Sequence, residues 1–168
     1  MLTVVDTGFG RQPFRGSVAI ASGRLTAAEL RGGRWRRLFH DVYVDANVRD
    51  SDQLIAAAAL LRAGEGAVLT GRTAANLWGA GLEPPGFVEI TSEGRLSVRG
   101  ITAHIGTVAS SEVVRHRGLA VSTAAHTAWD LARTLRRNDA VAWIDRLANR
   151  CRLTNADLIR HAESHAGD

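Results

Sequence analysis

The side chains of this sequence best suited to recognising a ligand are arginines. Arg24, Arg31, Arg34, Arg36 and Arg37 crowd the stretch GRLTAAELRGGRWRRLFH at 23–40, where Glu29 is the one acid. A guanidinium presents a planar fork of donors that fits phosphate oxygens or the edge of guanine, and each phosphate neutralised releases counterions. The stretch therefore suits a polyanion. Thr26 to Arg31 would approach a groove, with Arg24 and Arg31 at base edges, while Arg34, Arg36 and Arg37 hold phosphates. His40 would touch phosphate or a minor groove. A solvated face with scattered arginines, and an idle turn histidine at 40, is the alternative.

Other chemistry is poorly supplied. All 21 cationic side chains are arginine, which removes Schiff-base, phosphate-loop and nuclease lysines together. The single cysteine, Cys151, excludes an internal disulfide and a multi-cysteine zinc site. His161 and His165 stand four apart on one helical face, but Glu163 lies off that face and no HExxH pattern or Cys/His cluster accompanies them. A polar helix face is the ordinary explanation, so no metal and no cofactor is expected. Ser122, His126 and Asp130 invite comparison with a hydrolytic triad, yet no nucleophile elbow accompanies them. Asp130 is expected to cap a helix or to pair with Arg133 or Arg99. No cluster combines nucleophile, base and oxyanion donor, and no enzymatic activity is expected.

These side chains need elements to hold them. SVAIA at 17–21 predicts a short helix and SGRL a polar turn; Thr26 then caps a second short helix over TAAELRGG, ended by Gly32 and Gly33. RWRRLF at 34–39 and VYVDA at 42–46 alternate with period 2 and predict a hairpin. Trp35 and Leu38 cannot share a face by strict alternation, so the hairpin needs a bulge. Two helices and then a hairpin is the order of a small winged helix-turn-helix, placed at 14–49 after a flexible lead-in at 1–13. Polar residues at 47–52 mark the boundary to a second domain, 50–168. There the pattern predicts a helix over 52–64, a strand at 67–71, a helix over 72–80 and a turn at 83–86. Strands follow at 87–91, 101–106 and 119–122, and three closing helices start near Thr123, Asp139 and Thr154. The expected fold class is α+β, a winged helix-turn-helix followed by a mixed α/β domain with a helical C-terminal part. Trp78, Trp129 and Trp143 belong on apolar helical faces in the core, and Trp35 packs the wing or stacks on a guanidinium.

Charge divides along the same line. Residues 1–49 hold eight arginines against four acids, and 50–168 hold thirteen against thirteen. A surplus at one end suggests a polyanion-binding module joined to a neutral one. The first residues lack the charged start and apolar middle of a secretion signal, and no stretch approaches the roughly 18 apolar residues of a membrane span. A cytoplasmic location without membrane contact is expected.

The segment GRLTAAELRGGRWRRLFHDVYVDA, with a small helix after Leu25-Thr26, a basic-aromatic link and a wing ending in Val42-Tyr43, resembles the N-terminal winged helix of the AbiEi-type antitoxin family. LTGRTAANLWGA at 69–80 and GLAVSTAAHTAWDLAR at 118–133 are similar to that family's second domain, though His126 stands where arginine is usual and Trp129 where a smaller apolar residue is usual. The resemblance runs over residues 14–165. It implies a DNA-binding transcriptional regulator of the type IV toxin–antitoxin kind that autoregulates its own promoter. Its partners would be double-stranded DNA and a cognate nucleotidyltransferase-like toxin or a separate nuclease chain. Relatives often carry a C-terminal domain similar to very-short-patch-repair endonucleases, which these residues do not include. A non-catalytic protein-interaction module, or the remnant of a longer protein that has lost that endonuclease domain, is the alternative expectation.

Overall fold

The structure, a computed structural model, describes residues 11–81 and 87–165. The lead-in expected at 1–13 falls mostly outside them, and the turn expected at 83–86 wholly so. The chain forms two compact units, 1–65 and 66–168, and the expected mixture of α and β holds in both.

The first unit runs β1 (Phe14–Arg15), α1 (Gly16–Ala21), α2 (Ala27–Arg31), β2 (Trp35–Phe39), β3 (Val42–Asp45) and α3 (Asp52–Ala63). Its strands make an antiparallel sheet in the order β1-β3-β2, with the expected bulge between Arg37 and Phe39. Thr26 caps α2 reciprocally: its hydroxyl accepts from the Glu29 N–H at 3.2 Å, and the Glu29 carboxylate accepts from the Thr26 N–H at 2.7 Å. Paired residues in a sheet share a face. One face therefore carries Phe14, Tyr43 and Trp35, with Phe14 edge-on to Trp35 at 5.0 Å and stacked on Tyr43 at 6.2 Å. Ala19, Leu25 and Leu30 from the helical segment close over this aromatic patch. Trp35 satisfies both of its expected roles, since the Arg34 guanidinium also lies 4.8 Å above its ring.

The other face carries Arg15 and Arg36 beside Val42 and Val44, both fully buried, and α3 packs on it. Arg15 bonds the helix directly, donating to the Leu61 carbonyl at 2.9 and 3.1 Å. The domain boundary expected after residue 49 accordingly falls instead at Glu65–Gly66: α3 supplies the third helix of the first unit because the far side of its sheet is apolar and has to be covered. The move changes the charge balance. Residues 1–65 hold nine arginines against seven acids and 66–168 hold twelve against ten, so each unit stands at +2.

The second unit runs β4 (Val68–Leu69), α4 (Gly71–Leu77), β5 (Val88–Ser92), β6 (Ile101–Ile105), a 3-10 turn (Ser110–Glu112), β7 (Val113–His116), β8 (Leu119–Ser122), α5 (Ala124–Thr134), α6 (Arg137–Cys151) and α7 (Asn155–Ser164). The strand order is β6-β5-β4-β8-β7, parallel for β5/β6 and β4/β8 and antiparallel elsewhere. Strand β7 is an addition to the strands expected from the pattern. It pairs with β8 across Arg117-Gly118, both at positive φ (51° and 83°), the two-residue hairpin turn that follows strand twist. Ala75, Ala128, Leu131, Trp143 and Leu147 form the core among α4, α5 and α6. Trp143 is buried as expected. Trp78 and Trp129 are only half-buried, and Trp78 donates its indole N–H to the Ser122 carbonyl at 3.0 Å.

Gly71 joins helix to sheet in this unit. Its φ is +55°, and a Cβ there would lie 2.0 Å from a carboxylate oxygen of the buried Glu89. Gly71→Ala combines left-handed backbone strain with displacement of a buried charge. We expect a loss of roughly 2–4 kcal/mol, read as a lowered urea midpoint with an unchanged denaturant slope.

Candidate functional site

The arginine-rich segment divides by sheet face. Arg24, Thr26, Arg31, Arg34, Arg37 and His40 are exposed. Arg36 is not available in the same way: it lies half-buried on the α3 side, where its guanidinium donates to the Val48 carbonyl at 2.9 Å and pairs with Asp50. Of the three arginines expected to hold phosphates, only Arg34 and Arg37 therefore face water. Arg34 also lies 3.9 Å from Asp45. Glu29, the one acid of the segment, has its carboxylate engaged in the Thr26 cap, which holds it below the ordinary carboxylate range.

The hairpin turn is tied back to the helices. Asp41, at φ +63°, accepts from the Ser17 N–H at 2.7 Å and from its hydroxyl at 2.5 Å, and its own carbonyl accepts from the Gly16 N–H at 3.0 Å. It thus caps α1 from a distant part of the chain, where the N-cap residue, Arg15, provides no side-chain acceptor. Burial pushes the Asp41 carboxyl up, but the two Ser17 donors, with Arg15 and His40 nearby, outweigh it and hold the group below its ordinary 3.8. Arg15, Arg37, Arg62 and His40 surround a concavity of about 440 Å3 beside this turn. Arg15 and Arg62 lie outside the expected set: no strand is expected at Phe14–Arg15, and the helix carrying Arg62 is expected in the second domain.

The second unit contains a separate constellation. A cleft of about 590 Å3 opens between the sheet and α5, walled by Thr70, His104, Trp129, Asp130 and Arg133 and bounded on one side by Glu112, His126 and His165. Glu112 ends the 3-10 turn, and His126 lies in the first turn of α5, where its N–H donates to the capping Thr123 hydroxyl at 3.3 Å. His161 projects from α7 and His165 from its C-cap position; the helix itself is started by a reciprocal Thr154–Asp157 cap. Glu112 is the centre of the group. His126 Nδ1 is 2.9 Å from its Oε2, and His161 Nε2 and His165 Nε2 are 3.5 and 2.9 Å from its Oε1. Burial lowers the pKa of His161 below 6.5 against the pull of Glu112. Asp130 closes the chain of contacts, its carboxylate 3.7 Å from His126 Nε2 and facing the Gly71 N–H. Burial pushes the Asp130 carboxyl up, with the His126 imidazole opposing.

The expectation that His161 and His165 lack further ligand-type neighbours is therefore corrected: folding brings Glu112 and His126 to them. No spacing rule could have found these two, since they lie far away in sequence on other elements. Ser122 is not aligned with His126 and Asp130. Ser122 Oγ is buried 2.8 Å from Thr127 Oγ1 within the start of α5 and does not approach a histidine nitrogen at hydrogen-bond range. Comparison with known proteins found no family model that matches the chain and no curated protein significantly similar to it.

The Asp41 cap makes a titratable contribution. Asp41→Gly keeps the positive φ but removes both Ser17 contacts, and should lower stability at pH 7 by about 1–2 kcal/mol. Because folding lowers the Asp41 pKa, its contribution is present above 3.8 and is lost as pH falls through the folded value. The gap between wild type and variant in chemical denaturation should narrow steadily below that pH.

Proposed function

We propose that the chain is a DNA-binding transcriptional regulator whose first unit grips duplex DNA through α1, α2 and the β2–β3 hairpin. What supports this best is the local imbalance at 24–40, where five arginines stand against one acid whose carboxylate is already engaged in a helix cap. Four of the five arginines are exposed, together with His40. Net charge no longer supports the assignment, since both units stand at +2; the concentration of guanidinium groups beside two short helices and a hairpin does. Arg34 and Arg37 are assigned to phosphate, Arg31 is moved from its expected base edge to join them, and Arg24 and Thr26 are assigned to the groove. Arg62 extends the basic rim past the hairpin turn, whereas Arg15 in the same concavity is held by the Leu61 carbonyl. Operator control of its own promoter and a toxin partner follow from the resemblance to AbiEi-type antitoxins, and a cytoplasmic setting from the cysteine usage and the lack of a secretion-signal pattern. No helix of the described residues is long and apolar enough to cross a membrane.

The test is fluorescence anisotropy of the full chain on its own promoter and on a random duplex at several salt concentrations. Each lost phosphate contact lowers the magnitude of the salt slope by about 0.9. Replacing Arg31, Arg34 and Arg37 together with glutamine should weaken binding to both duplexes and flatten the slope by roughly 2–3. Arg36→Gln should leave the slope unchanged. Equal slopes for wild type and the triple variant would end the assignment.

A further inference from the structure

The cluster at Glu112 contains more unsatisfied imidazole than one carboxylate can serve. His126 Nδ1 and His161 Nε2 are buried and make no hydrogen bond, although carboxylate oxygens of Glu112 lie 2.9 and 3.5 Å away. The atoms are close, but their directions do not suit donation. Buried nitrogens without partners are costly and need an explanation.

We propose that Glu112, His126, His161 and His165 form a tetrahedral Zn2+ site that clasps α7 to α5 and to the turn before β7. One ligand atom from each residue lies within 4.8 Å of every other. Zinc at about 2.0–2.2 Å from nitrogen and oxygen places tetrahedral ligand atoms roughly 3.4 Å apart; His161 and His165 Nε2 lie 3.5 and 2.9 Å from Glu112 Oε1, and His126 Nδ1 lies 2.9 Å from Oε2 of the same carboxylate. The outer nitrogens of His165 and His126 face acceptors, as those of metal-bound histidines do. His165 Nδ1 lies 2.9 Å from the His161 carbonyl, so it carries the proton and Nε2 turns its lone pair to the centre. His126 Nε2 faces Asp130, which assigns Nδ1 to the metal. Three nitrogens and one oxygen suit zinc and not calcium or magnesium, which prefer oxygen cages.

Four protein ligands complete a tetrahedron, so the site is structural. Helix α7 has the clearest need of it. The helix has no fully buried residue, and its packing partner in the helical core is the partly buried Leu158. A bond from the metal to His161 and His165, whose imidazoles are stacked at 4.4 Å, fixes the end of α7 on α5.

The experiment uses the full chain, stripped with a chelator and reloaded with ZnCl2 or CoCl2, and needs no DNA. Wild type should retain about one equivalent of zinc through gel filtration, measured by elemental analysis. The cobalt form should show the intense visible absorption of a tetrahedral ion. At zinc concentrations near 100 times Kd the folded-to-unfolded ratio should rise roughly 100-fold, and α7 should become protected from proteolysis. His161→Ala and Glu112→Gln should abolish the cobalt spectrum and the zinc-induced rise in Tm, whereas His104→Ala, in the same cleft but outside the ligand set, should preserve both. A wild-type protein that retains no zinc, or a cobalt spectrum that is octahedral, overturns the site even if a variant fails to fold. So does equal loss of binding in His104→Ala.

Discussion

The second unit depends on one buried carboxylate. Glu89 sits inside the sheet at β5, and its charge is met by the Arg72 guanidinium at 2.7 and 2.9 Å and by the Arg72 N–H at 2.6 Å. Its backbone is held as well, its N–H donating to the Thr73 hydroxyl and its carbonyl accepting from the Thr70 N–H. A buried ion pair contributes little net stability, but breaking one half of it is expensive. The pair therefore dictates where α4 begins. Gly71 leaves room for the carboxylate on one side, and on the other its N–H faces Asp130 of α5. Sheet, α4 and α5 are thus connected through polar contacts that tolerate little displacement. Because Asp130 stands one turn after His126, the same contacts aim the imidazole at Glu112.

The first unit obeys a different constraint, a small sheet with two apolar faces. Covering one face requires α1 and α2 over Phe14, Trp35 and Tyr43; covering the other requires α3. The arginines are sorted by this division. Arg15 and Arg36 are drawn into backbone and carboxylate contacts on the α3 side, so a guanidinium that looks available in the sequence is already committed. The hairpin turn is likewise shared, since Asp41 serves as the cap of α1. A basic segment is thereby held on a scaffold whose turn cannot move independently of its first helix.

Much of this was legible locally. Thr26 announces its cap locally, the bulge follows from the misfit of Trp35 and Leu38 with strict alternation, and the three closing helices follow their apolar period. Threonine caps start only α5 and α7 among these, since α6 begins after Arg136 with no side-chain cap. These features depend on residues within a few positions of each other, where backbone geometry limits the choices. Strand β7 had a usable signal that was passed over: Arg117-Gly118 between Val113–His116 and Leu119–Ser122 is a tight hairpin connection. Strand β1, two residues long, had none, because it exists only through its pairing with β3.

The sequence by itself determined the α+β class, most helices and the concentration of arginine at 24–40, because each is a property of neighbouring residues. Only the tertiary structure decided that α3 belongs to the first unit, that Arg36 is spent, and that His161 and His165 meet Glu112 and His126. Those outcomes depend on which distant faces must be buried against one another, and hydrophobic burial is non-directional. The residues that meet are selected by packing, and their spacing along the chain carries no trace of it.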